Sequence, residues 1–291
     1  MPWHDLATDV PSRRPFGAFV SAVFDFMMTE HAAWRPVSSG RQRAFRMPDG
    51  GLWLAAVDEQ KLALNALAPS ATEPVFDIYT ATTLDGSLHS RVPSLASALR
   101  RLGRVGRFRN SSLWDAIALA IVRQVVRAGQ SKKMYRTFSL MYGEPILVPE
   151  APEYRLFPTP ETVLSLSAEQ FAATGMAFKR RPLMAAAEAF LLYGEKWQEL
   201  SPEVLIQALQ EVPRIGPWTA HAAVADWCND WSLYPYTDLA VRTWARRAAP
   251  SFDWPADEVA FGRAWRMFGG DQLSSLTLLT LAWGSQHGDI G

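Results

Sequence analysis

The sequence predicts an α+β protein: a small antiparallel sheet unit over residues 1–94, then a mostly α-helical domain over residues 95–291. Three observations lead there. Asp49-Gly50-Gly51 separates two short apolar runs in the first hundred residues, a strong hairpin signal. From Ser94 onward, capping residues and prolines punctuate one helical run after another. A chain of 291 residues, 48% hydrophobic and 20% charged, suits one or two globular domains and excludes a disordered or collagen-like chain.

Residues 16–28 are apolar enough for a helix, although their aromatic and β-branched content leaves a strand open. Runs at 43–47, 52–57, 61–67 and 75–80 read as strands, separated by Pro48-Asp49-Gly50-Gly51 and Asp58-Glu59. A short amphipathic helix over 95–102 leads into a Gly/Arg-rich link at 103–110. Ser112 can cap a helix over 113–128, and Ser131 another over 132–142. A Pro-rich loop spans 145–158. Thr159-Pro160-Glu161 opens a helix with Pro at its first position, and Ser167-Ala168-Glu169-Gln170 has the capping-box pattern. A helix over 182–193 is expected to stop at Gly194. Ser201-Pro202-Glu203 opens one running to Gln210. Two helices flank a loop at 229–237, and two more cover 257–268 and 271–283.

No run of eighteen apolar residues occurs, and the first residues carry acid without an apolar signal core. The expectation is a monomeric, cytoplasmic, nucleoid-associated protein that needs no membrane. A single cysteine, Cys228, excludes a disulfide framework, a Cys-based zinc site and a four-Cys iron–sulfur cluster. The five histidines show no metal-ligand spacing. Formal net charge is zero, but its distribution is uneven. Residues 98–150 hold 10 basic and 3 acidic side chains, while residues 201–291 hold 6 and 10. Such a basic stripe either neutralises phosphates or is a solvated helix face. Twelve tryptophans are enough to furnish a core and still line a pocket that stacks on something flat.

The densest chemical signal is Leu209-Gln210-Glu211-Val212-Pro213-Arg214-Ile215-Gly216-Pro217-Trp218-Thr219-Ala220. One helix ends, a tight turn follows, and a second helix starts at Pro217 with its amides free for an anion. An ordinary αα-hairpin would look the same. Further on, Tyr234-Pro235-Tyr236-Thr237-Asp238-Leu239-Ala240-Val241-Arg242 places Asp238 just before an apolar-periodic helix. That is an N-cap position, and equally a place where a fixed carboxylate can stabilise positive charge on a sugar or activate water.

Together these two segments resemble the helix–hairpin–helix/GPD superfamily of DNA glycosylases, most of all bacterial 3-methyladenine DNA glycosylase II. The likeness extends upstream to Ala116-Ile117 and Ala120-Ile121-Val122-Arg123-Gln124-Val125-Val126, to Phe157-Pro158-Thr159-Pro160 and to residues 174–180, and covers roughly residues 95–250. It implies two helical lobes with a cleft between them, and Asp238 as the catalytic carboxylate. It implies that Gln124 and Val125 enter the gap left by a flipped nucleotide, flanked by Arg123 and Arg127. Arg214, Ile215, Gly216 and Thr219 would form a phosphate-binding hairpin. The main-chain carbonyls of Gln210, Val212 and Ile215 would hold a structural monovalent cation, sodium or potassium, with no other cofactor required. Trp218 would line the base pocket, with Ala222 and His221 beside it; His221 reads equally as a satisfied structural histidine. Bifunctional members carry a lysine where Trp218 stands, and Trp cannot form a Schiff base. The implied activity is therefore a monofunctional glycosylase that excises alkylated purines of the 3-methyladenine and 7-methylguanine type from double-stranded DNA in base excision repair.

Four departures from the family pattern stand out. Arg214 replaces a glycine, at a cost of roughly 1 kcal/mol if its φ is positive. Ala222 stands where an aromatic residue is usual, and Arg123 where a small residue is. The C-terminal aromatic segment survives only as Trp265-Arg266-Met267-Phe268. Two other functions fit parts of the pattern: a non-catalytic DNA-binding or damage-sensing protein using the same hairpin, and an N-glycoside hydrolase acting on a nucleoside.

Overall fold

A computed structural model describes residues 18–20, 24–58, 61–84, 86–148 and 153–287. Its first part is built from β1 (Ala18–Val20), β2 (Phe26–Met27), β3 (Arg35–Val37), β4 (Gly40–Arg46), β5 (Leu52–Asp58), β6 (Lys61–Ala66) and β7 (Phe76–Thr80). Five of these form an antiparallel sheet in the order β1-β6-β5-β4-β3. The expected turn joins β4 to β5, and Asp49 is its anchor. Its carboxylate accepts the amides of Gly51, Ala71 and Thr72 at 3.0, 2.6 and 3.0 Å. The Gly51 amide above all, then those of Ala71 and Thr72 and the Ser70 hydroxyl, hold this acid down to about 2.

The described residues within 16–28 do not form the helix their apolarity allowed. Residues 16, 17 and 21–23 lie outside the described residues, and the rest includes β1, paired with β6, and β2, paired in parallel with the later strand at residues 104–108. Pairing partners remote in sequence decided between helix and strand.

After α1 (Gly86–Arg91) and α2 (Pro93–Arg100), the Gly/Arg-rich stretch expected as a link is strand β8 (Arg104–Phe108). It is the middle strand of a second sheet, β2-β8-β7. Arginine at every third position hides the strand from pattern reading; Arg107 is buried and carries its own counter-charges, described below.

The helical part comprises α3 (Leu113–Arg123), α4 (Ala128–Tyr142), α5 (Pro160–Ser165), α6 (Ala168–Ala173), α7 (Arg180–Gln198), α8 (Pro202–Gln210), α9 (Pro217–Cys228), α10 (Leu239–Ala248), α11 (Glu258–Gly269) and α12 (Leu273–His287). Within the Pro-rich loop, β9 (Pro145–Ile146) pairs with β10 (Tyr154–Arg155). Ser112, Thr159, Ser167 and Ser201 cap their helices as their sequence contexts predict, and the Ser167/Gln170 capping box is complete. α3 is buried nearly all round and forms the centre of the core, packed between α9 and α7.

Several helix boundaries differ from expectation. α3 stops at Arg123 instead of reaching 128, because Val125 adopts a left-handed φ of 57°. α4 accordingly starts at Ala128, and Ser131 lies inside it, its hydroxyl donating to the Ala128 carbonyl at 2.9 Å. α7 runs through Gly194 to Gln198. That glycine serves packing, since a Cβ there would sit 2.9 Å from the Phe190 ring. No helix among the described residues is long and apolar enough to cross a membrane.

Candidate active site

The hairpin between α8 and α9 is anchored by its apolar residues. Val212 and Ile215 are buried, and the Ile215 amide donates to the Val212 carbonyl at 3.0 Å. Between them Arg214 takes φ +70°, the left-handed conformation in which glycine costs least. Arg214 and Gly216 are thereby left exposed. Gly216 is the N-cap of α9 and carries no capping side chain. Among the described residues no protein group accepts from the amides of Gly216 and Trp218. The turn is therefore more than a helix connection: it presents unsatisfied donors at the positive end of a helix. No trio of His, Cys, Asp or Glu among the described residues is placed to hold a metal.

The end of α3 is tied to this hairpin. Gln124 folds back instead of projecting: its Nε2 donates to Thr219 Oγ1 at 2.7 Å and to the Arg214 carbonyl at 3.3 Å. Lys179, buried at 2% exposure, donates from Nζ to the Gln124 carbonyl at 2.5 Å, and burial pulls its amine down to about 8. Val125 alone forms the tip. It is fully exposed and left-handed, a conformation that a β-branched residue rarely adopts. Apolar, strained and unpacked, it has no evident role in stability.

Asp238 occupies the N-cap position of α10, and its carbonyl accepts the Arg242 amide at 3.1 Å. Its carboxylate does not cap the helix. Instead Oδ2 accepts a hydrogen bond from the Tyr234 hydroxyl at 3.2 Å. Tyr234 is buried, and its oxygen accepts from Arg123 Nη2 at 3.3 Å. Burial, helped by the neighbouring Asp238, pushes the phenol up to about 12, so Tyr234 remains a donor at any physiological pH. Arg123 also lies 5.8 Å from the centre of the Trp218 ring. The Asp238 carboxylate is thus half-buried, makes no capping bond to its own helix and is held by an oriented donor.

A cavity of about 150 Å³ is bordered by Arg123 and by Ala240 of α10, while Asp238 itself does not line it. Its walls include Trp231 and Trp244, and the charged side chains of Glu30, Lys132 and Asp226. The acids are not isolated. Arg107 Nη2 bonds Glu30 Oε1 at 2.9 Å and also reaches Asp226 Oδ1, while Arg107 Nη1 donates to Asn229 Oδ1 at 2.6 Å. The Arg107 guanidinium stacks 4.5 Å from the centre of the Trp231 ring. Burial works against the charge on Arg107, but Glu30 and Asp226 more than offset it. Burial likewise opposes ionisation of Asp226, and Arg107 holds it below the ordinary carboxylate range.

Of the side chains expected around the base, Trp218 is half-buried beside Arg123. His221 and Ala222 are turned elsewhere. The His221 ring meets the Leu233 carbonyl through Nδ1 at 2.8 Å, the structural arrangement, and Ala222 is buried in the core. Neither they nor Trp218 line the cavity. The basic stripe also divides. Arg104 pairs with Asp25, Arg107 with Glu30 and Asp226, and Arg109 with Asp77, so these three are not free for phosphates. Arg136 donates to the carbonyls of Ala32 and Trp34. Arg127, two residues after Val125, and Lys133 in α4 remain exposed. Pattern reading did not find Glu30 or Asp226, took Arg107 only as part of the basic stripe and Lys179 only as part of the segment 174–180; Asp226 had a local signal, a lone acid in the apolar run of α9.

The same architecture occurs in solved structures. The 3-methyladenine DNA glycosylase from Archaeoglobus fulgidus superposes with a TM-score of 0.70 at 16% identity, covering 94% of this chain and 99% of that one. The chain shares the fold of that glycosylase. A Clostridium acetobutylicum 8-oxoguanine glycosylase/lyase in complex with double-stranded DNA shares this glycosylase fold. Its TM-score is 0.68 at 14% identity, with coverage of 94% and 96%. In sequence, DNA-3-methyladenine glycosylase 2 of Escherichia coli (strain K12) is 30% identical over 104 residues. That match spans 35% of this chain and 36% of the relative. No protein-family model matches the chain.

Proposed function

We propose that the protein is a monofunctional DNA glycosylase that removes alkylated purines from double-stranded DNA, acting as a monomer in base excision repair. The observation that carries this reading is the Asp238 carboxylate, which leaves its helix uncapped and is held by the Tyr234 hydroxyl, itself bonded to Arg123 of the cavity wall. The unsatisfied amides of Gly216 and Trp218 suit a backbone phosphate, with Arg214, Thr219 and Arg127 nearby. Val125 suits the gap left by an extruded nucleotide. Extrusion costs a few kcal/mol, and filling the gap keeps the neighbouring bases from closing.

The chemistry follows from charge. Alkylation at a ring nitrogen makes a purine cationic, so the base leaves as a neutral molecule with the electron pair of the glycosidic bond. Positive charge develops on the sugar, where the Asp238 carboxylate stabilises it electrostatically. Water adds to that carbon and gives up a proton, with Asp238 as the acceptor. Trp231 and Trp244 offer π faces to a cationic base, each worth about 0.5–2 kcal/mol when well placed. No lysine occupies the place of Trp218, which favours hydrolysis without strand cleavage. The carbonyls of Gln210, Val212 and Ile215 would hold a monovalent cation. The donors are neutral, which suits a single charge, and the Val212 carbonyl keeps a lone pair beyond the one it gives to Ile215. Such an ion would stiffen the hairpin and strengthen its pull on phosphate.

The test is release of bases from methylated duplex DNA, read by chromatography together with strand integrity. Wild type should release methylpurines and leave the strand uncut until alkali is added. Asp238→Asn should release none while binding duplex DNA as before. Tight binding without release would favour a damage sensor, and neither binding nor release would overturn both DNA readings.

A further inference from the structure

A second cavity lies where β4 meets the start of α3, roughly 15 Å along that helix from Arg123. It measures about 140 Å³, and the rings of Phe45, Trp114, Tyr135 and Phe157 form much of its wall. Arg43 of β4 lines it too and is only 5% exposed. Its guanidinium makes no hydrogen bond among the described residues. Nε is sealed from solvent without a partner, while Nη1 and Nη2, equally without one, keep accessible surface. The ion-pair partner is Asp115, whose Oδ2 lies 3.6 Å from Nη2, close enough to balance the charge and too far to accept a hydrogen bond. That carboxylate is engaged elsewhere, by the Tyr135 hydroxyl at 2.6 Å on Oδ1 and by Asn110 Nδ2 at 3.0 Å on Oδ2. Burial opposes its charge, but His31, then Arg43 and Tyr135, hold it well below the usual carboxylate range. The other two arginines of the wall are matched as well, Arg46 by Glu144 and Arg155 by Glu153. What the cavity lacks is an acceptor, not a negative charge.

We propose that this cavity is a binding site for a small neutral aromatic molecule whose carbonyl oxygen accepts from the Nη groups of Arg43, an aromatic carboxamide being the simplest case. An apolar cavity of about 150 Å³ holds benzene, so a single ring fits the space and meets aromatic side chains there. A buried donor left unpaired is costly, and a carbonyl oxygen has two lone pairs to offer a guanidinium. The bond is charge-assisted and shielded from water, which strengthens it. A cation in the same place would set N–H against N–H. A carboxylate would add a second negative charge beside Asp115 where little water screens the two. A neutral acceptor meets neither penalty. The Arg46–Glu144 pair, partly exposed, marks the way in. Asp238 and the hairpin take no part, so the site does not depend on base excision.

Three planar molecules of one shape test this. Benzamide is neutral and carries the acceptor, benzoate is its anionic counterpart, and benzamidine at neutral pH is a cation with donors only. Isothermal titration calorimetry on the full chain should show saturable binding of benzamide, at least roughly tenfold tighter than either of the others, the discrimination expected of a hydrogen bond to a charged group. Intermolecular NOEs should join the bound ring to the ring protons of Trp114 and Phe157, which locates it without any substitution. Arg43→Gln, checked by melting for retained structure, should lose the preference for benzamide. Should that variant not fold, calorimetry and NOEs on wild type decide alone. Absence of benzamide binding, the result for a cavity that holds only water, overturns the proposal. Benzoate or benzamidine binding as tightly as benzamide overturns it too, as do NOEs to residues outside this wall or a preference that survives in folded Arg43→Gln.

Discussion

Replacing Arg214 by glycine should stabilise the protein while weakening its hold on DNA. Arg214 sits at φ +70° in the hairpin, with an exposed side chain. A non-glycine residue in that region costs about 1–2 kcal/mol. Glycine removes this cost but adds unfolded-state freedom worth about 0.4–1 kcal/mol. The difference is a net gain of about 0.5–1 kcal/mol, or about 1–2 °C in Tm for a chain of this size. If Arg214 meets a phosphate, the slope of log K against log salt should fall by about 0.9. Calorimetry and a salt titration on a short undamaged duplex measure the two effects. Arg214→Ala separates them: it keeps the left-handed residue and loses the charge, so the slope should fall with no gain in Tm. A glycine variant that melts at or below wild type would refute the strain argument. An unchanged slope in both variants would show that the hairpin holds DNA through its amides alone.

Three further outcomes follow from the geometry. Tyr234→Phe takes the hydroxyl from between Arg123 and Asp238, so base release from methylated DNA should fall tenfold or more, a charged hydrogen bond being worth about 1.5–3 kcal/mol; affinity for undamaged duplex should not change. The Asp49 acid is held at about 2 against an ordinary 3.8, so its stabilisation is complete above 3.8 and is lost as pH falls through 2. Asp49→Asn should therefore melt below wild type at neutral pH, and that gap should close across the same acid window. Gly284→Ala would put a Cβ 2.4 Å from atoms of the Trp244 ring, inside α12. Urea titration should show a loss of about 1–3 kcal/mol, the cost of overpacking.

The parts of this site carried by local chemistry were legible in the sequence. The hairpin shows itself through Pro213, Gly216 and Pro217 at the junction of two helices, and Asp238 through its place before an amphipathic run. Capping hydroxyls fixed several helix starts, because each cap involves residues two or three apart. Elements whose reason lies elsewhere in the chain escaped. Strand β8 looks like a link because it is rich in arginine, and Arg107 becomes tolerable only when Glu30 and Asp226 arrive from opposite ends of the chain. Gly194 looks like a helix stop until the Phe190 ring is seen packed against it. His221 lies one turn along the helix from the hairpin, but the Leu233 carbonyl claims its ring. Gln124 lies at the end of α3 as expected, yet its side chain closes on Thr219 and leaves Val125 to project alone.

The Arg107 knot also bears on how such a cavity can diversify by mutation. Removing one partner of a buried ion pair strands the other charge and costs about 3–5 kcal/mol, much of what a domain has to lose. Replacing the whole group by apolar residues of similar volume can be neutral. Positions 30, 107 and 226 therefore present a ridge to single-step drift: each solitary change is penalised, whereas a joint exchange is not. Substitutions at Ala240, Leu281 or Ser285, on the other walls of the same cavity, meet no such ridge. A lineage exploring new lesions from this starting point would be expected to remodel those walls first and to leave the charged one for last.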